Sequence, residues 1–248
     1  MKPLLEVRHL FLSFHVHGQI VPALQDISLT LYEGEKLGIV GESGCGKSVL
    51  VKSFVRLLPD HTAHLEGEIW YKGQNLTLFS EAELQKIRGK EIGMIFQDPM
   101  TSLNPTLTIG TQIAEGTSHP SEVVALLHQV GIPDPERRMQ EYPHTLSGGL
   151  RQRVMIAIAL GPKPALLIAD EPTTALDVTI QAQILELLST LQKGKTTLLI
   201  THDLSVAASF CDRIVVMQEG KIIEDAPVEE LFASPKHPYT KHLIEVVQ

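Results

Sequence analysis

Residues 41–48 of this chain have the types and the spacing that bind a phosphate chain. They read Gly-Glu-Ser-Gly-Cys-Gly-Lys-Ser, and they lie between an apolar run at 37–40 and a segment from Val49 onward that predicts a helix. Glycines let backbone N–H groups wrap closely around phosphates, and a helix N-terminus adds partial positive charge. We expect Lys47 to reach the β- and γ-phosphates of a nucleotide and Ser48 to hold Mg²⁺. The alternative is a glycine turn without a ligand, which the flanking pattern disfavours.

Two carboxylates follow a second apolar run. Residues 165–169 are continuously apolar, as in a central strand of a parallel sheet, and Asp170 and Glu171 come next. Ligands of α/β proteins bind at the carboxyl ends of such strands. We expect Asp170 to hold Mg²⁺ through its water shell and Glu171 to polarise a water that attacks the γ-phosphate. An acidic turn without a ligand is the alternative, and the glycine loop makes it less favoured.

The surrounding pattern predicts an α/β fold with a helical insertion. Alternating residues at 5–8 and 27–31 predict short half-buried strands, and strand–helix–strand spacing over 163–217 predicts a parallel sheet. Six prolines from Pro99 to Pro143 separate short segments with helical patterns. The helix after Gly149 should place Leu150, Val154, Ala157 and Ile158 on one face. We therefore predict a single domain over 1–248, with a core of about 1–98 and 162–248 and a helical subdomain of about 99–161.

Composition limits the possible partners. The 248 residues are 43% hydrophobic and carry a formal net charge of −8 without a Lys/Arg cluster, which disfavours nucleic acid and anionic membrane surfaces. Two cysteines, one of them inside the glycine loop, indicate a reducing compartment. The N-terminus has no long apolar region, so no signal peptide is predicted. The longest apolar run, 154–160, is too short for a membrane helix.

The segment Leu146-Ser147-Gly148-Gly149, which lies between the two nucleotide elements, resembles the signature of ATP-binding cassette (ABC) ATPases. That family has a glutamine after a strand that here ends at Phe96, an aspartate in the loop after the acidic pair, and a histidine at the end of the strand after that loop. Gln97, Asp177 and His202 match these positions. The order of the elements over 41–202 makes the resemblance specific, and it covers essentially the whole chain.

The resemblance implies a P-loop NTPase (RecA-like) parallel-sheet core, an N-terminal antiparallel β subdomain and an inserted helical subdomain. It implies that the signature acts in trans on ATP held by a partner, so that a dimer is required. Gln97 would offer its amide to Mg²⁺ or to the attacking water, and His202 would bond the γ-phosphate and orient Glu171. Leu150 stands where the family commonly has glutamine, which puts a side-chain contact from that position in doubt.

The resemblance completes the set of candidate site residues. Phe14 is the candidate for stacking on adenine, with a core phenylalanine as the alternative. The cofactors implied are ATP and Mg²⁺. The catalytic candidates are Glu171, His202 and Gln97, and the metal candidates are Ser48, Gln97 and Asp170. The nucleotide-binding candidates are Phe14, Gly41, Glu42, Ser43, Gly44, Cys45, Gly46, Lys47, Ser48, Val49, Ser147, Gly148, Gly149 and Asp177.

Finer matches at 97–105, 142–157, 175–183 and 237–240 look like the oligopeptide, dipeptide and nickel importer branch, in particular the first of its paired ATPases. That branch implies a second ABC ATPase subunit, two transmembrane permease subunits and an extracytoplasmic substrate-binding protein. It also implies a peripheral location on the cytoplasmic face of the inner membrane. Some members carry clustered cysteines for an iron–sulfur centre, and with two cysteines in this chain we expect none.

Two other functions stay open at this stage. One is a soluble ABC-type ATPase that acts on nucleic acid or ribosomes, which the missing coiled coils and basic arms disfavour. The other is a regulatory module that binds ATP with little hydrolysis, which Glu171 and His202 disfavour. The cargo, peptide or nickel, is not determined by this chain because the membrane subunits would carry the specificity.

Overall fold

The structure, a computed structural model, describes residues 2–59, 61–117, 119–174 and 176–247. The chain forms two compact units. Unit one comprises Met1–Gln85 and Gly194–Gln248, and unit two comprises Lys86–Lys193. These limits differ from the predicted subdomain limits near 99 and 161, which stay a prediction.

Unit one contains an antiparallel sheet in the order β2-β1-β4-β5. Its strands are β1 (Pro3–Val16), β2 (Gln19–Tyr32), β4 (Ala63–Tyr71) and β5 (Gln74–Asn75). The hairpin between β1 and β2 turns at His17 and Gly18, whose φ angles of 49° and 79° suit a tight two-residue turn. The predicted N-terminal β subdomain is confirmed, and its first two strands are longer than predicted because bulges let each continue past an interruption of the alternating pattern.

Unit one also contains parallel strands. β3 (Lys36–Val40) lies between β8 (Thr196–Thr201) and β9 (Arg213–Gln218), parallel to both, and β10 (Lys221–Pro227) pairs antiparallel with β9. Every residue of β8 is buried, including its three threonines, as in a central strand of a parallel sheet. The helices wholly within this unit are α1 (Lys47–Phe54), α9 (Leu204–Phe210), α10 (Val228–Ala233) and α11 (Pro238–Val247).

Ser80 and Glu83 close the first turn of α2 (Glu81–Ile87) through one half of a capping box. The Glu83 carboxylate accepts the Ser80 backbone N–H at 2.8 Å, and the Glu83 N–H donates to the Ser80 carbonyl at 3.1 Å. A short 3₁₀ turn over Leu76–Leu78 precedes it.

Unit two contains two parallel strands and six helices among its described residues. The strands are β6 (Ile92–Ile95) and β7 (Leu166–Asp170), and Ile95 pairs with Ala169. The helices are α3 (Pro99–Ser102), α4 (Ile109–Ala114), α5 (Pro120–Gln129), α6 (Pro135–Arg138), α7 (Gly148–Leu160) and α8 (Val178–Leu191). Proline occupies the first position of α3, α5 and α6, where its missing N–H costs no hydrogen bond.

The burial of α7 extends beyond the face that carries Leu150, Val154, Ala157 and Ile158. Leu150 and Ile158 are only half-buried, whereas Val154, Met155, Ile156 and Ala157 are all buried in succession. Four consecutive buried residues cover a full helical turn, because α7 contacts α3, α4, α5 and β6 on several sides. A helix enclosed in this way has no single apolar stripe for a sequence pattern to detect.

None of the helices in the described parts of the chain combines the length and the apolar character that crossing a bilayer would require.

The segment before α11 is fixed by one buried carboxylate. Glu224, on β10, accepts the backbone N–H groups of Lys236 at 2.8 Å and of His237 at 3.0 Å. Burial raises the pKa of Glu224, but these amide hydrogen bonds oppose it and hold the pKa below its ordinary value of 4.5. At neutral pH the ionised carboxylate therefore holds the start of the last helix in place.

We expect Glu224→Gln to lower the midpoint of thermal unfolding at pH 7 by about 2–4 °C, because a neutral amide accepts hydrogen bonds more weakly than a carboxylate. A carboxylate whose pKa is lowered by folding stabilises the protein above its unfolded pKa and loses this effect as the pH falls through its folded pKa. The difference between parent and variant should therefore persist down to about pH 4.5 and shrink below it. Calorimetry at several pH values would measure this. The exposed Glu245→Gln serves as a control, and a difference that does not depend on pH would contradict the assignment.

Candidate functional site

The glycine loop connects β3 to α1, as the sequence predicts. Gly46 caps α1 with a φ of 105°, and a Cβ atom there would lie 2.9 Å from the Ala23 carbonyl oxygen. A Cβ atom at Gly41 would lie 2.3 Å from the Met217 carbonyl oxygen. Both positions therefore require glycine. The resulting backbone cradle leaves Glu42, Ser43 and Gly44 exposed, and it fits a phosphate group.

Lys47 is buried inside this loop. Its Nζ donates to the carbonyl oxygens of Gly41 at 2.7 Å and Glu42 at 2.8 Å. Ser48 and Val49 follow it in the first turn of α1, and both are half-buried. The carbonyl groups of the loop thus bind the Lys47 ammonium group, which the sequence predicts to contact the nucleotide phosphates.

Cys45, like Lys47, has a buried side chain. Its Sγ lies 2.8 Å from the place that a Cβ at Gly41 would occupy, which is on the inner side of the loop. Burial raises the pKa of the Cys45 thiol, and the nearby Lys47 ammonium opposes this only in part. The thiol therefore stays protonated near neutral pH.

Two hydrogen bonds from distant parts of unit one hold the loop, and the sequence motifs do not predict them. The Gly220 N–H, in the turn between β9 and β10, donates to the Cys45 carbonyl at 3.0 Å. The Glu42 N–H donates to the Tyr239 hydroxyl, on α11, at 3.0 Å. The only sequence signals were the Glu219-Gly220 turn dipeptide and the family-like segment at 237–240.

His202 follows β8 at the edge where the loop begins. Thr201, the last residue of β8, pairs with Val40, the last residue of β3. Asp203 caps α9 by accepting the Ser205 N–H at 2.8 Å, and its own N–H donates to Thr201 Oγ1 at 3.0 Å. The local backbone is thereby fixed on both sides of His202, whose side chain is exposed.

Phe14 lies in β1 of the antiparallel sheet, opposite Val21 on β2 and Ala63 on β4. Its side chain is half-buried, which leaves part of the ring accessible. The predicted stacking on adenine stays a prediction.

In unit two the structure brings together Gln97 and Glu171. The Gln97 amide donates to Glu171 Oε2 at 3.2 Å, and the Thr174 hydroxyl donates to the same oxygen at 2.7 Å. Glu171 has a φ of 46°, a conformation that is uncommon for residues other than glycine. Sequence reasoning missed Thr174 as the residue that orients this carboxylate.

Asp170 ends the fully buried strand β7 and is itself 2% exposed. In unit two, Asp170 and Gln97 can supply carboxylate and amide oxygens, and in unit one Ser48 can supply a hydroxyl oxygen. These are the hard donors that Mg²⁺ prefers. The donor chemistry therefore fits the predicted ion.

The signature residues and Asp177 line one groove of unit two, with a volume of about 610 Å³. Ser147 occupies the N-cap position of α7, yet its hydroxyl makes no capping hydrogen bond. Asp177 caps α8 by accepting the Ile180 N–H at 3.0 Å. Ala175, which the family resemblance also used, lies outside the described residues.

Glycine at position 149 allows α7 to approach α8 closely. A Cβ atom there would lie 3.0 Å from Ile180 Cγ2, and one at Gly148 would meet Leu176 at 3.9 Å. Arg153 fixes the far side of the groove, donating to the Val130 carbonyl at 2.7 Å and to the Gln183 side chain at 3.2 Å. The groove therefore presents the N-terminus of α7, an anion-binding feature.

Comparison with known proteins places these features in a family. Residues 24–174 match the ABC transporter family. An oligopeptide transport ATP-binding protein of Bacillus subtilis is 52% identical over 253 residues, covering 97% of this chain and 71% of that protein. A dipeptide transport ATP-binding protein of the same organism is 49% identical over 256 residues, covering 98% of this chain and 76% of that protein.

Solved structures agree with this result. An ATP-binding cassette solved as a dimer in a post-hydrolysis state, with ADP and Pi bound, has a TM-score of 0.80 and 29% identity. The match covers 91% of this chain and 99% of that structure. The predicted P-loop fold class is confirmed. The chain belongs to the ABC transporter family and is one of its ATP-hydrolysing ATP-binding cassettes.

Proposed function

We propose that this chain is the energy-coupling ATPase subunit of an importer for peptides. The observation that carries the proposal is the 49–52% identity to oligopeptide and dipeptide transport ATP-binding proteins over nearly the whole chain. Those names favour peptides over nickel, the other predicted cargo. The cradle at 41–48 and the oriented Glu171 carboxylate supply the chemistry that such a subunit needs.

The phosphate loop binds the nucleotide in this proposal. Backbone N–H groups of residues 43–49 surround the phosphates, and Lys47 moves its Nζ from the loop carbonyls to the β- and γ-phosphates. Phe14 stacks on the adenine, and His202 donates to the γ-phosphate. Ser48, Asp170 and Gln97 hold Mg²⁺, which, when bound, neutralises charge on the phosphates.

Glu171 acts as the general base. Its carboxylate accepts a proton from a water molecule whose oxygen attacks the γ-phosphorus, and the bond from that phosphorus to the β,γ-bridging oxygen breaks. The products are ADP and inorganic phosphate. The hydrogen bonds from Thr174 and Gln97 orient the carboxylate before the water arrives, so less ordering is needed during the reaction.

The groove formed by Ser147, Gly148, Gly149 and Asp177 serves ATP held by a second ABC ATPase subunit. Its support is that the Ser147 hydroxyl is not used as a cap, although it stands where capping residues stand. A hydroxyl and helix N–H groups in an open groove suit the γ-phosphate of a partner's nucleotide. The ATPase is therefore active as a dimer, and we propose a heterodimer with a related subunit.

The remaining partners are two transmembrane permease subunits and an extracytoplasmic substrate-binding protein. The chain is then a peripheral subunit on the cytoplasmic face of the inner membrane. Closure of the ATPase dimer on ATP, followed by reopening after hydrolysis, supplies the free energy for transport.

We expect Glu171→Gln to lower ATP turnover by about 10²–10⁴-fold, because the amide cannot accept the proton of the attacking water. ATP affinity should stay within about 3-fold of the parent, since the substitution preserves shape and hydrogen bonding. Phosphate release by the assembled transporter and ATP titration of the isolated chain would measure the two quantities. Glu186→Gln, at an exposed position of α8, is the control. Near-normal turnover in the Glu171 variant would remove this residue from its proposed role.

We expect Lys47→Ala to weaken ATP binding by at least about 10-fold, because hydrogen bonds between charged groups contribute about 1.5–3 kcal/mol. Equilibrium titration of the isolated chain with ATP and Mg²⁺ would test this. Lys52→Ala, five positions further along α1, is the matched control. An unchanged affinity in the Lys47 variant would count against the loop assignment.

Affinity purification of the full chain from membranes of its host tests the partners. We expect a second ABC ATPase and two permease subunits in the isolated complex, and peptide uptake by proteoliposomes that contain it. Uptake of nickel without peptide would overturn the cargo. Recovery of ribosomes or DNA in place of permeases would favour the soluble ABC-type ATPase instead.

A further inference from the structure

One peptide group of the phosphate loop is hydrogen-bonded at both of its ends. The carbonyl of the Gly41–Glu42 peptide accepts from Lys47 Nζ at 2.7 Å, and the N–H of the same peptide donates to the Tyr239 hydroxyl at 3.0 Å. Lys47 belongs to the loop, whereas Tyr239 lies 197 residues further along the chain than Glu42. Two side chains from distant parts of the sequence thus set the orientation of a single peptide plane.

Hydrogen bonds and packing fix the position of Tyr239, so that its hydroxyl can orient the Gly41–Glu42 peptide. Its own N–H donates to His237 Nδ1 at 3.2 Å, which caps the first turn of α11. The amides of Lys236 and His237 are fixed on the buried Glu224. The Tyr239 ring packs against a hydrophobic cluster that includes Val40, the residue directly before the loop.

The same hydrophobic cluster includes Leu204 and Ala207 of α9, the helix that begins just after His202. The terminal segment therefore contacts the supports of both the phosphate loop and the histidine. Burial raises the pKa of the Tyr239 hydroxyl, so the phenol is neutral at physiological pH and its oxygen can accept the Glu42 N–H.

The proposed nucleotide binding affects the hydrogen bonds of this peptide with Lys47 and with Tyr239 differently. In the proposed function, Lys47 leaves the Gly41 and Glu42 carbonyls when its Nζ moves to the phosphates, so the carbonyl end of the peptide loses its partner. The Glu42 N–H is already occupied by Tyr239 and keeps its bond. Of these two contacts, only the one with Tyr239 is retained in both states.

We propose that Tyr239 is a positioning residue for ATP binding, because its hydroxyl fixes the Gly41–Glu42 peptide while Lys47 transfers from the loop to the phosphates. This inference rests on the proposed role of the loop. It assigns a task to the segment 236–240 that the nucleotide motifs do not contain. Without the hydroxyl, the peptide plane rotates more freely before binding and must be ordered by the nucleotide, which lowers the affinity.

The test compares Tyr239→Phe with the parent chain, with Tyr142→Phe as the control. The substitution keeps the ring that packs on the cluster and removes only the oxygen. Tyr142 is a 41% exposed tyrosine of unit two, outside the loop. Titration with ATP and Mg²⁺ should give a dissociation constant about 3- to 10-fold higher for Tyr239→Phe, the range expected for one hydrogen bond.

Steady-state kinetics of the assembled transporter separate positioning from general damage. KM for ATP should rise by a similar factor while kcat stays within about 2-fold of the parent, because Glu171 and its partners are untouched. The unfolding midpoint without nucleotide should match that of the parent, and the upward shift caused by saturating ATP should be smaller.

An affinity equal to that of the parent, or tighter, would overturn the inference. If Tyr239→Phe unfolds at a lower temperature without nucleotide, amide hydrogen exchange of residues 41–47 is measured under conditions in which the variant is folded. This measurement shows whether the hydroxyl orders the loop. Faster exchange there supports positioning, and equal exchange overturns it. Lys47→Ala in the same titration distinguishes failure of the loop assignment from failure of the role proposed for Tyr239. If that variant binds ATP like the parent, the loop assignment fails, whereas a normal Lys47 result with an unchanged Tyr239→Phe affinity removes only the tyrosine.

Discussion

The close contact between the phosphate loop and the backbones behind it is the constraint on which unit one depends. The carbonyl oxygen of Met217 lies 2.3 Å from the place that a Cβ atom of Gly41 would occupy, and that of Ala23 lies 2.9 Å from the corresponding place at Gly46. A loop that turns its N–H groups toward phosphate must be tight, and a tight loop packed on strands leaves no space for side chains. Glycine loses more conformational entropy on folding than other residues. The hydrogen bonds that Cys45 and Glu42 make with Gly220, in the turn between β9 and β10, and with Tyr239 of α11 offset part of that loss. The sheet therefore determines the shape of the cradle.

The proposed base shows the same dependence on its surroundings. Glu171 has a positive φ, which for a residue with a side chain costs on the order of 1–3 kcal/mol and persists only when neighbours impose it. Thr174 and Gln97 both donate to one of its carboxylate oxygens, and the buried strand β7 fixes the residue before it. A carboxylate restrained in this way needs little reorganisation to accept a proton. Because Gln97 donates to the same carboxylate, a ligand that binds Glu171 can also change the position of Gln97.

The parts that could be predicted from the sequence are those encoded by neighbouring residues. The strand–loop–helix at 36–54 and the prolines that begin α3, α5 and α6 each depend on a few adjacent positions. The signature, Gln97 and His202 could be predicted because a family resemblance supplied their order. Tyr239 and Gly220 could not be predicted as supports of the loop, since their contacts with it span 197 and 175 residues. The burial of α7 on several sides could not be predicted for a related reason, because enclosure by several elements depends on tertiary packing.

In the proposed dimer, the signature groove explains why ATP can hold two subunits together. Moving a two-state equilibrium from 1:99 to 99:1 requires a differential affinity of about 5.5 kcal/mol, so each of two ATP molecules must supply about half of it. A hydrogen bond to a charged group contributes about 1.5–3 kcal/mol, so one or two bonds from the groove to each γ-phosphate are sufficient. Backbone N–H groups at the start of α7 and the Ser147 hydroxyl can provide that number. The side chain at position 150 is then not needed for closure, which is why leucine is compatible there with an active ATPase.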